Sequence, residues 1–185
     1  MTSDPLSKIP SARSKKLLKE LPTEPQMHSI LVNLTKAGDR ATAVMGAAYL
    51  EHALELLLKA HFRPLGKEEN TRMFDGSQGA ILGTFSAKIR VAYATKLLHR
   101  NAYRALLLIN DIRNVFAHSL HKVTFSDPDI IEDCKTLLTL SAALTDNAGV
   151  TESDRARKIY ARVVRTLFVS LRMLMERVIS GEQFG

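Results

Sequence analysis

Residues 153–179 read SDRARKIYARVVRTLFVSLRMLMERVI. Tyr160, Val163, Val164, Leu167, Leu171, Leu174, Met175 and Val178 recur there at spacings of three and four, which lines them up on one side of an α-helix. The opposite side carries Arg155, Lys158, Arg162, Arg165 and Arg172. Such a ridge can follow a phosphate backbone through charge alone, although most basic stripes are simply solvated faces. No segment alternates apolar and polar residues over the length of a strand, so the chain is expected to be all-α. The expected architecture is a single-domain multi-helix bundle over residues 26–185, preceded by a loosely ordered basic arm over 1–25.

Working back from that helix, Asp146-Asn147-Ala148-Gly149 marks a turn, and Asp127-Pro128 places a cap before a proline at the first position of a helix running to about Leu144. Val123-Thr124-Phe125 suits extended backbone. Helices are expected over 102–117 and 86–99, with a break at Arg100-Asn101. The stretch from Gly66 to Gly83 holds several glycines and little periodicity and reads as a long connection. Asp39 is the candidate N-cap of a helix to about His61, which Arg63-Pro64 stops, and a shorter helix fits 26–36. In the arm, Pro5, Pro10, Pro22 and Pro25 are mixed with Arg13, Lys15, Lys16 and Lys19.

The 185 residues, 45% hydrophobic and 24% charged, are enough for one domain with a sizeable core. A net charge of +7 favours an acidic partner such as nucleic acid. No apolar run is long enough to span a membrane and no signal segment opens the chain, so a cytoplasmic location without membrane partners is expected. Cys134 is the only cysteine and is expected in the core. Neither a metal-spaced cluster, a phosphate-binding glycine loop nor a helix-turn-helix is recognisable, so no metal or cofactor is expected.

Two features carry candidate chemistry. In the helix from Asp39, Glu51 falls among Val44, Ala47, Leu54 and Leu58, and a carboxylate on a buried face needs a cation. Arg113, at the edge of the stripe Ala105, Ile109, Ile112 and Phe116, is the expected partner, giving a structural ion pair Glu51–Arg113. Asn114 and His118 share a second face, and Arg113 and His118 point about 140° apart on an unbroken helix. An arginine and a histidine brought together, by a helix end or a second subunit, can cleave RNA without metal: imidazole takes the 2′-hydroxyl proton and guanidinium stabilises the phosphate charge.

Arg40-Ala41, Tyr49-Leu50-Glu51, the run from Leu82 to Arg90, the run from Ile112 to His118 and Val123-Thr124-Phe125 together resemble the mannitol operon repressor (MltR) family over about 39–144. The resemblance implies a helical transcriptional regulator that acts through protein contacts or non-standard nucleic-acid binding. The core Arg113-Asn114-x-x-x-His118 also resembles the HEPN superfamily, helical bundles that include metal-independent ribonucleases and toxin or defence proteins. That likeness implies a homodimer with a composite site of Arg113, Asn114 and His118. Two functions therefore stay open: a non-enzymatic repressor, placed first, and an endoribonuclease in which Lys88 or the basic ridge of Arg155, Lys158, Arg162, Arg165 and Arg172 gathers RNA.

Overall fold

The structure, a computed structural model, describes residues 38–75, 79–141 and 152–180, with single positions between 23 and 36. Most of the arm over 1–25, most of the helix expected over 26–36, and the turn over 146–149 lie outside the described residues. Among the described residues from 38 onward the helices are α1 Asp39–His61, α2 Lys67–Phe74, α3 Phe85–Ala94, α4 Arg100–His118, α5 Pro128–Leu140 and α6 Glu152–Ser180. The fold is all-helical, and no strand occurs among the described residues.

Local chemistry sets the helix ends. Gly38 precedes α1 at φ 90, a conformation costly for any residue with a Cβ. At the other end Phe62 turns extended, and Arg63, standing before Pro64, is disfavoured from the α region. The Thr84 side chain accepts from the Ala87 N–H at 3.2 Å and caps α3. His99 caps α4 in the same way, accepting from Ala102 N–H at 3.4 Å. Hence α4 begins at Arg100, and the expected break at Arg100-Asn101 lies instead between Thr95 and His99, where Lys96 has φ 62. The sequence also missed α2, a polar helix that buries only Phe74 and so lacks an apolar stripe.

α1 and α6 pack most extensively; α4 lies on α1, α5 on α6 and α4, and α3 against α1 and α4. The stripe of α6 is buried at Tyr160, Val163, Val164, Leu167 and Leu171, and that of α4 at Ala105, Ile109, Ile112 and Phe116, within one apolar core. Burial of each large side chain contributes about 1.5–3 kcal/mol. Cys134 is fully buried, and desolvation pushes its thiol up to about 12, so it is a core residue without thiolate character at neutral pH.

Candidate functional site

The C-terminal end of α4 is joined to the start of α1 and to α6 by aromatic contacts and hydrogen bonds. Phe116, Phe125 and Tyr160 form a buried ladder with ring centroids 5.0 and 5.4 Å apart. Around it the segment 119–127 is pinned to both helices. Arg40 donates to the Ser119 carbonyl at 3.1 Å, and the Phe125 N–H donates to Asp39 Oδ2 at 3.0 Å. Asp39 also pairs with Arg157 of α6. Asp39 is therefore not the cap of α1 but the tie between three segments. Asp127 likewise turns back: its Oδ2 accepts from Thr124 N–H at 2.6 Å and from the Thr124 hydroxyl at 2.9 Å, and the first of these bonds leads in holding its pKa below the usual carboxylate value.

These ties frame an open groove of about 1080 Å³ between the first turns of α1 and the segment 117–124, lined by Arg40, Val44, Met45, Leu120, Lys122 and Arg157 among others. Leu120 is 99% exposed and Met45 44%. Neither stood out in the sequence: Leu120 is a lone apolar residue in a loop and carries no periodic signal, and Met45 lies on α1 but off its buried stripe.

The residues singled out by sequence divide into separate places. Arg113 is half-buried and donates to Asn114 Oδ1 at 2.9 Å, while His118 is exposed as the last residue of α4. Arg113 and Asn114 are thus hydrogen-bonded to each other, and His118 lies one turn beyond Asn114 at the exposed end of the helix.

The Glu51–Arg113 pair is not what forms: Glu51 accepts from Lys88 of α3 at 2.9 Å. Position along α1 explains the correction, since Glu51 lies on the side packed by α3, and Lys88 reaches it from the second turn of that helix. The Lys88 ammonium, 5% exposed, also meets Glu55 Oε2 at 2.9 Å, and Glu55 in turn pairs with Lys59 at 2.5 Å. Burial pulls the Lys88 pKa down, but the bonds and charges of Glu51 and Glu55 outweigh it and leave the pKa raised. Burial pushes Glu55 up, and the bonds from Lys59 and Lys88 more than reverse that. Lys88 is consequently a buried, fully paired cation, and its expected part in gathering nucleic acid is corrected. Beside it, burial chiefly lowers the His52 pKa, and its buried Nε2 has no hydrogen-bond partner among the described residues. The spacing of Glu51, Glu55 and Lys59 was legible as one helix face; the third member, Lys88, comes from another helix.

On α6, Arg155, Lys158, Arg162 and Arg165 are exposed, and Arg172 is half-buried and bonded to Glu176 at 3.0 Å. Among the described residues no group of three or more His, Cys, Asp or Glu is placed to hold a metal, and no helix is long and apolar enough to cross a membrane.

No protein-family model matches the chain, and no curated protein matches it. A solved structure does: the MtlR–HPr complex from Escherichia coli, with TM-score 0.54 and 20% sequence identity, covering 83% of this chain and 98% of that one. At that identity the likeness is one of fold.

Proposed function

We propose that this protein is a regulator of transcription that acts by binding another protein, with the groove between α1 and segment 117–124 as the binding surface. The observation that carries this is Leu120, wholly exposed on a segment whose backbone is held by Arg40 and by the paired Asp39. A leucine left in water on a loop that is fixed in place is a ready anchor, because docking buries it without the cost of ordering the loop. Met45 extends the apolar surface, and Arg40 and Lys122 supply a cationic rim for an acidic partner.

The shared fold with MtlR, solved as a complex with HPr, supports this function and makes HPr the first partner to test. We expect HPr to bind in calorimetric titration, and Leu120→Asp to weaken binding about tenfold or more while circular dichroism stays unchanged. Absence of HPr binding removes that partner, and binding indifferent to Leu120→Asp removes the groove. Cleavage of RNA in EDTA, lost in His118→Ala, would replace the regulator by an endoribonuclease using Arg113, Asn114 and His118.

A further inference from the structure

A second surface lies away from the groove, where α3 and α4 pack together. Tyr93 of α3 and Tyr103 of α4 are stacked, with ring centroids 4.3 Å apart and planes inclined by 20°. Tyr93 is 41% exposed, so part of this ring is left to solvent beside the stack. A solitary exposed tyrosine would swing between rotamers; this one is braced by a partner ring and presents a flat π-face in one orientation.

The stretch of chain that carries both tyrosines has charge of one sign. No carboxylate occurs between Asp75 and Asp111, whereas Lys88, Arg90, Lys96, Arg100 and Arg104 fall within that span. Lys88 is neutralised in the interior by Glu51 and Glu55. The other four are exposed, and no ion pair joins any of them to a carboxylate among the described residues. Helical spacing sets them about the rings: Arg90 lies three residues before Tyr93, Arg100 three before Tyr103, and Arg104 one turn beyond Arg100. Lys96 stands in the connection between the helices at φ 62.

We propose that this surface binds single-stranded nucleic acid, one base stacking on the exposed ring of Tyr93 while Arg90, Lys96, Arg100 and Arg104 follow the backbone phosphates. The cations alone would suit an acidic protein equally; the stacked rings beside them are what favour a nucleobase, and duplex bases are already stacked on each other. Unpaired bases use both parts of the surface. The binding is independent of the protein-docking groove and would stand if that assignment failed.

The test is fluorescence anisotropy of the full chain with a labelled oligothymidylate of about ten nucleotides, alongside its RNA equivalent, its duplex, and an abasic strand of equal length. Expected is binding to the two single strands, weaker binding to duplex and to abasic strand, and about a 5- to 100-fold loss in Tyr93→Ala that Tyr93→Phe restores. Arg100→Ala should reduce the slope of log affinity against log salt by about 0.7. Equal affinity for the abasic strand, retention of affinity by Tyr93→Ala, or no binding at all overturns the proposal. Leu120→Asp, with the platform intact, should bind the oligonucleotide as the natural sequence does.

Discussion

The Tyr160 hydroxyl of α6 donates a 2.8 Å hydrogen bond to the main-chain carbonyl of Ala43 in α1. Three residues on, Gly46 faces the same ring: a Cβ built there would stand 3.1 Å from Tyr160 Cε1 and 3.4 Å from Val164 Cγ2. The glycine lets the two helices approach, and the hydroxyl satisfies itself on a backbone brought within reach by that approach. Because the same ring also closes the ladder on Phe125, the packing of α1 on α6 supports the segment that carries Leu120.

Substitutions at these two positions separate the contributions. Tyr160→Phe keeps the ring and removes one buried hydrogen bond, and should lower unfolding free energy in urea by about 1 kcal/mol. Gly46→Val forces side-chain bulk against Tyr160 and Val164 and should cost about 1–3 kcal/mol or more. A Gly46→Val protein as stable as the natural one would show that the helices are not held at this closeness.

Loss of Lys88 should be among the more damaging single changes. Lys88→Met leaves Glu51 and Glu55 facing each other, partly buried, with Lys59 as the remaining cation, and is expected to cost about 3 kcal/mol in chemical denaturation. Glu51→Gln should cost less, because Glu55 still pairs with the ammonium.

The pH dependence of this cluster runs in two directions. The lowered pKa of Glu55 means that its contribution is present above its unfolded value and is lost as pH falls through the folded one. The raised pKa of Lys88 gives a contribution complete below its unfolded value and lost as pH rises through the folded one. Stability attributable to the cluster should thus fall in acid and in strong alkali, and melting temperatures across pH should show Lys88→Met losing the alkaline limb and only part of the acid limb, because Lys59 still bonds Glu55. A mutant that keeps the alkaline limb would assign it to another group.

Asp39 links stability to the groove. Asp39→Ala removes the acceptor for the Phe125 N–H and the partner of Arg157. We expect a loss of about 2–4 kcal/mol and faster proteolysis within segment 117–124 at concentrations of denaturant far below unfolding. Unchanged protection of that segment would mean that Arg40 and the aromatic ladder suffice to hold it.

The long amphipathic helices were legible in the order of residues alone. The stripe of α6 from Tyr160 to Leu171 and that of α4 from Ala105 to Phe116 are periodic over several turns, and periodicity is a property of one element, readable without knowledge of its neighbours. For the same reason the Pro128 start and the Pro64 stop were legible. What α2 lacked was a buried stripe, so nothing in its order of residues separated it from a loop.

Tertiary structure alone decided the partners. Glu51 announced a need for a cation, but whether Arg113 or Lys88 supplied it depended on which side of α1 received α3, and that is set by packing of the whole core. The stack of Tyr93 on Tyr103 and the exposure of Leu120 have the same origin. A stacked pair joins two helices across a connection that the sequence does not orient, and a loop leucine is buried or bare according to where the ties of Asp39 and Arg40 leave it. Sequence spacing fixes directions around one helix axis, whereas contacts between axes arise only when every apolar stripe is buried at once.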